Sequence, residues 1–242
     1  MPIIRIKIPL YLPAWLYHSL KRVFFGNHKK QLNLWGDRDV EWSFVSANMP
    51  RQGGKALDFG SGNSYMSLLA AFHGFRVIAL DLEAQNFSWQ HSMTNFVQGD
   101  LFKMDFPKNY FDLIINCSTI EHVGLVGRYS VKENHPDGDL EAMAYLKQLM
   151  KPDSVMLLTI PVGQDALFIP LCRVYGRQRL PHLLAGYIIE KEVFWVKDSQ
   201  NHWVLCDKET ALNFAASAGS WDALQNVYAL GCFVLRTPSA EE

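Results

Sequence analysis

Asp58, Gly60 and Gly62 follow one short apolar run, KALDF, and Asp81 ends a second, VIALD, with a helical stretch between them. Glycine lacks the Cβ that would keep a ligand off the backbone. An acid at a strand end can accept hydrogen bonds from a ribose diol. Strand, glycine turn, helix, strand and acid, in that order, point to an adenosine-containing cofactor. The glycines alone do not say which. A dinucleotide fingerprint wants glycine at its sixth position, where this chain has Tyr65. The acid two residues before the first glycine is more telling. A carboxylate there repels a pyrophosphate and suits a cationic group such as the amino group of a methionine moiety, which favours S-adenosylmethionine over NAD. Asp58 as a turn-capping residue is the other reading.

These residues need a frame. Lys55–Phe59, Arg76–Leu80, Asn95–Gln98, Phe111–Asn116 and Ser154–Ile160 read as strands. Asp37–Ser46, Tyr65–Phe72, Ala84–Met93 and Asp139–Met150 read as helices, the last stopped by Pro152. This alternation predicts a parallel sheet with helices on both faces. Two later strands, near Ile188–Val196 and Tyr228–Leu235, flank a helix at Glu209–Ala218, and residues 162–186 look irregular. Ligands of such sheets lie beyond the strands' C-terminal ends. The fold would therefore gather Asp58, Gly60, Ser61, Gly62, Asp81, Leu82, Asp100, Leu101, Ser118, Glu121 and His122 along one rim.

Composition bounds the alternatives. The chain has 242 residues, 49% hydrophobic and 19% charged, with a net charge of −1. That is enough for one α/β domain with a full core and carries no nucleic-acid signature. Residues 1–36 hold six of the 23 Lys and Arg and none of the 24 Asp and Glu. Within them, residues 14–25 put Leu16, Leu20, Val23 and Phe24 on one helical face and His18, Lys21 and Arg22 opposite. This basic amphipathic extension either touches a membrane surface through residues 1–30 or packs on the domain formed by residues 37–242. Four scattered cysteines with no CxxC pair argue for reduced thiols, hence a cytoplasmic protein with or without membrane association, and against a cysteine metal site. No HExxH or calcium-loop pattern is present, and no metal is expected.

The segments LDFGSGNS, IALDLE, VQGDLFKMDFP with FDLIINCSTIEHVG, and LKQLMKPDSVMLLTIP resemble the motifs of the class I S-adenosylmethionine-dependent methyltransferases. The resemblance spans residues 37–236. Ser64 stands where many members have a third glycine, and Lys151–Asp153 replaces a Pro-Gly-Gly turn. It implies a Rossmann-like, doubly wound α/β fold with a mostly parallel seven-stranded sheet and an antiparallel last strand. It also implies ribose binding by Asp81, adenine binding by Asp100 and the Leu101 N–H, and an activated methyl group facing Glu121 and His122. His122 would then be a general base near its ordinary pKa, with Glu121 as the other candidate base or the group that orients the imidazole, or else His122 is a structural residue packing the cofactor. A narrower resemblance, through STIEHVGLVGRYS, DGDLEAMAYLKQLMKP and IPVGQDALFIPLCRVYGRQRLPHLL, is to a branch first described as a nematode domain of unknown function. Its bacterial members tend to occur with glycan synthesis, which implies a glycan or glycolipid hydroxyl as acceptor. Residues 162–186, which follow the fifth strand, would cover that acceptor, with Arg173, Tyr175, Arg177 and Arg179 reaching its hydroxyls or phosphate, or else form a solvated basic loop. A non-catalytic adenosine-binding scaffold is the competing class. The oligomeric state stays open.

Overall fold

The computed structural model describes residues 37–129, 131–219 and 227–239. The expected extension over residues 1–36, with its amphipathic helix, lies outside them. The described residues begin with α1 (Asp37–Asn48), β1 (Gly54–Phe59), α2 (Met66–Phe72), β2 (Phe75–Asp81), β3 (Thr94–Gln98) and β4 (Phe111–Cys117). It continues with α3 (Gly138–Leu149), β5 (Met150–Val162), β6 (Ala166–Phe168), β7 (Cys172–Val174) and α4 (Arg179–Leu183). The last elements are β8 (Ile188–Lys197), β9 (Trp203–Cys206), α5 (Lys208–Leu212) and β10 (Ala229–Arg236).

The main sheet runs β3-β2-β1-β4-β5-β10-β8-β9. β1 to β5 pair in parallel. β10, the last strand, is antiparallel to both β5 and β8. Side chains alternate between the faces as strand geometry requires. Ile114, Met156, Leu158 and Ile160 join one core with Ala142, Met143, Leu146 and Leu149 of α3. Leu113, Ile115, Val155 and Leu157 join the other with Val40, Phe44 and Val45 of α1 and Met66, Ala70 and Ala71 of α2. Both faces are covered, and this explains why the parallel strands are nearly continuous apolar runs.

Several elements depart from expectation: residues 162–186, expected to be irregular, form β6, β7 and α4, with β6 and β7 paired antiparallel. Among the described residues the sheet has eight strands, because Asp198 builds a hairpin turn and lets β9 pair with β8. One carboxylate oxygen of Asp198 accepts the N–H groups of Gln200 and His202, at 2.8 and 2.9 Å. Residues 84–93 form no helix. Phe87 and Trp89, two apart, stack at 4.7 Å between centroids, and Phe87 also meets Phe96 of β3. Alternate residues share a side in extended chain, not in a helix. α5 stops at Leu212 because Gln164 takes the carbonyls of Asn213 and Phe214. All four cysteines are free thiols. Among the described residues no helix is long and apolar enough to cross a membrane.

Candidate functional site

Strand order reverses between β1 and β4, the point where open α/β sheets open a crevice for ligands. A cavity of about 840 Å³ lies there. It is lined by Asp58 to Ser64, Leu80 to Leu82, Gly99 to Lys103, Cys117 to Thr119 and His122, and by Arg38 and Trp42 from α1. Of the residues singled out from sequence, Asp58, Gly60, Ser61, Gly62, Asp81, Leu82, Asp100, Leu101, Ser118 and His122 all face this one cavity. Glu121 does not line it but lies directly behind.

The glycine bend is built for close approach. Gly60 (φ +67°) donates its N–H to the Leu80 carbonyl at 2.8 Å and is overlaid by Thr119. Gly62 (φ +50°) faces open space, with nothing within 4 Å of where a Cβ would stand. Asp81 anchors the bend from β2. One carboxylate oxygen accepts the Gly62 N–H at 2.8 Å and the other the Glu83 N–H at 2.9 Å. Each oxygen keeps a second lone pair. Asp100 caps the turn after β3 by accepting the Phe102 N–H at 3.1 Å, while Leu101 is buried.

Asp58 is only 2% exposed, and its Oδ2 accepts the Ser67 hydroxyl at 2.6 Å. Burial pushes its pKa up to about 7, against the opposing pull of the Ser67 hydrogen bonds. A buried carboxyl poised between its two forms, on the wall of a cavity, gains most from a cation arriving beside it.

At the end of β4, Ser118 (φ +53°) donates its hydroxyl to Glu121 Oε1 at 2.6 Å. Glu121 is 1% exposed, and burial raises its pKa to about 7. Its Oε2 has no hydrogen-bond partner among the described residues. His122 Nδ1 lies 2.7 Å from the Leu171 carbonyl. A carbonyl only accepts, so Nδ1 carries the proton and Nε2 the lone pair. Nε2 lies 3.5 Å from Glu121 Oε1. The expected near-ordinary pKa of His122 needs correcting. Burial, helped by the Arg128 charge, lowers it to about 3, so the imidazole is neutral across the physiological range.

The acceptor-contact expectation for residues 173–179 also changes. Arg173 is buried and donates to the carbonyls of Val123 (2.6 Å), His135 and Pro136. Tyr175 is buried and donates to Asp139 Oδ2 at 3.0 Å, and Arg179 holds the same carboxylate. Arg177 pairs with Glu209 at the surface. The network centred on Asp139 ties the start of α3 to residues 173–179, a structural task. Sequence reasoning missed Arg38, Trp42, Tyr129 and Lys132, which line the cavity from segments remote in the chain.

Residues 56–213 match the model of the family described as "Caenorhabditis protein of unknown function, DUF268". The chain belongs to this family. No curated protein matches it. Among solved structures it is similar to a Burkholderia thailandensis 1,6-didemethyltoxoflavin-N1-methyltransferase with bound S-adenosylhomocysteine. The identity is 16%, the coverage 97% of this chain and 94% of that one, and the TM-score 0.52. The [4+2]-cyclase SpnF gives 13% identity, 86% and 87% coverage and a TM-score of 0.57. An S-adenosylmethionine-dependent methyltransferase from Archaeoglobus fulgidus gives 14%, 91% and 99%, and 0.52. At these identities the likeness is one of fold, and this member of the family has the Rossmann-like fold of those proteins. A methyltransferase and a cyclase share it, so the reaction must be argued from the cavity's own residues.

Proposed function

We propose that the chain is an S-adenosylmethionine-dependent methyltransferase acting on a hydroxyl of a glycan or glycan-linked lipid. The observation that carries this reading is Asp58, buried in the wall of a cavity that also holds the Gly60–Gly62 bend, Asp81 and Asp100. That set suits a cationic nucleoside and opposes a diphosphate. Asp81 would accept the ribose hydroxyls, Asp100 and the Leu101 N–H would meet the adenine, and Asp58 would face the ammonium group. Ser61, Leu82 and Ser118 complete the walls. Bound there, S-adenosylmethionine supplies an already activated methyl group. The protein's main task is then to align the acceptor oxygen in line at about 3 Å.

His122 is held as the neutral tautomer with Nε2 unprotonated. In this reading Nε2 accepts the acceptor's hydroxyl hydrogen and orients the oxygen. Buried at low basicity, it is a poor final holder of a proton. Glu121, with its pKa near neutrality, is the adjacent group suited to that role. His122→Ala should lower turnover by roughly 10²-fold and change cofactor affinity little. Full activity in that variant would remove the role.

The state of Asp58 sets a pH dependence. The free protein holds this carboxyl half-protonated near pH 7, while a bound ammonium group favours the carboxylate. Binding therefore releases a proton below pH 7, and affinity rises with pH up to that point. S-adenosylhomocysteine affinity should climb about tenfold from pH 6 to pH 8 and flatten in Asp58→Asn. A flat wild-type profile would separate Asp58 from the ligand.

Calorimetric titration with S-adenosylmethionine, followed by methyl-transfer assays on cell extracts, tests the function as a whole. Binding without turnover on any acceptor would favour the non-catalytic scaffold. Contact of residues 1–30 with membranes is part of the same proposal. Deleting them should reduce association with anionic liposomes, and equal partitioning would exclude it.

A further inference from the structure

α1 contributes a feature that neither the motifs nor the family match explains. Glu41 has no exposed surface and does not line the cavity, yet it is a carboxylate. Its Oε1 accepts the hydroxyl of Thr159, a wholly buried residue of β5, at 2.9 Å. Its Oε2 accepts from Arg38 at 2.6 Å. A charge so buried is costly unless paired and hydrogen-bonded, and both conditions are met here. The result is a guanidinium held rigidly at one end. Its side chain stays half exposed, on the cavity wall. Among the described residues its remaining N–H groups have no hydrogen-bond partner.

The charge pattern of the cavity says what that guanidinium is for. Asp58, Asp81 and Asp100 line the wall, and any ligand group carrying negative charge would be repelled by them. Lys103, near the adenine end, is extended into solvent and pairs with Asp100 at 3.6 Å. His122 is neutral. Arg38 is the cation that a buried partner fixes in place. A planar guanidinium matches a carboxylate with two parallel hydrogen bonds, which an ammonium group cannot do.

We propose that Arg38 binds the carboxylate of the cofactor's amino-acid end, with Glu41 and Thr159 as its positioning residues. The cavity then distinguishes an intact amino-acid tail from a nucleoside that has lost it. This inference rests on the function proposed above and names a specificity determinant within it.

The test compares two probes by calorimetry: S-adenosylhomocysteine, and 5′-methylthioadenosine, which carries the same nucleoside without the tail. Wild type should prefer the first by about 100-fold. Arg38→Gln should bind S-adenosylhomocysteine at least about tenfold more weakly and methylthioadenosine as wild type does. The unchanged nucleoside affinity shows that the fold is intact. Glu41→Gln keeps the side-chain shape and frees Arg38. It should lose about three- to tenfold for S-adenosylhomocysteine only, an effect a purely structural role would not confine to the tailed ligand. The double variant Arg38→Met, Glu41→Gln removes both charges and guards against misfolding from an orphaned Glu41. It should lose at least as much of the preference as Arg38→Gln does, keeping only the part that Asp58 supplies through the ammonium group. Arg38→Gln binding S-adenosylhomocysteine like wild type overturns the assignment. If inorganic phosphate also binds the S-adenosylhomocysteine-loaded wild type but not that variant, the guanidinium serves an anion on the acceptor instead. If neither nucleoside binds wild type, the proposed function fails and this inference with it.

Discussion

Asp81→Ala is expected to weaken S-adenosylhomocysteine binding by about 10- to 100-fold, equivalent to ~1.4–2.8 kcal/mol. The variant loses two things together. It loses the acceptor for the ribose hydroxyls, and it loses the clamp on the glycine bend, because the same carboxylate accepts the N–H groups of Gly62 and Glu83. Asp81→Asn separates them. Its single carbonyl oxygen can hold the Gly62 N–H, yet its amide group cannot accept from the ribose. An intermediate loss, about tenfold, is therefore expected for Asn. Unchanged affinity in both variants would take Asp81 out of the site.

Gly60→Ala should be the more damaging change. A Cβ at Gly60 would stand 2.1 Å from Thr119 Cγ2 and 2.4 Å from its Oγ1. Thr119 cannot withdraw freely, since its hydroxyl bonds the carbonyls of Gly60 and Cys117. The positive φ of +67° adds strain of ~1–2 kcal/mol for any residue with a side chain. Together these should lower stability by about 2 kcal/mol or more, roughly 4–8 °C in Tm. Cofactor binding should fall by more than about 100-fold, because the loop must leave the end of β4. Gly62→Ala provides the contrast. Its Cβ would meet nothing, so only φ strain of ~1 kcal/mol applies, and thermal stability should stay close to wild type. If both variants melt alike, Thr119 is not what holds the bend.

The comparison of sequence with structure follows a physical division. β1, β2, β4 and β5 were legible because buried parallel strands are continuous apolar runs bounded by glycine, proline or an acid. Asp58, the glycines, Asp81 and Asp100 were legible because they sit at the ends of those runs. Residues 84–93 misled because helical composition says nothing about Phe87 and Trp89 closing on Phe96. β9 was missed because its pairing depends on a turn that Asp198 builds from its own side chain. The placement of Arg38 and Trp42 was illegible for another reason. Asp37–Ser46 reads only as a helix, and the packing of Val40, Phe44 and Val45 on the sheet is what turns its first two turns toward the cavity. Arg173 and Tyr175 looked like acceptor contacts because basic and aromatic residues after a fifth strand often are. Asp139, buried at the start of α3, claims both. The low pKa of His122 likewise arises from burial and from Arg128, which no local motif encodes.

The central claim is that a buried carboxylate ahead of a glycine bend receives a cationic nucleoside. A crystal structure of the protein soaked with S-adenosylhomocysteine tests it most directly. The account predicts ribose hydroxyls on Asp81, adenine beside Asp100 and Leu101, and the amino group facing Asp58. A diphosphate seated on the Gly60–Gly62 bend when NAD is supplied instead, or an adenosine bound with Asp58 turned away from it, would contradict the account.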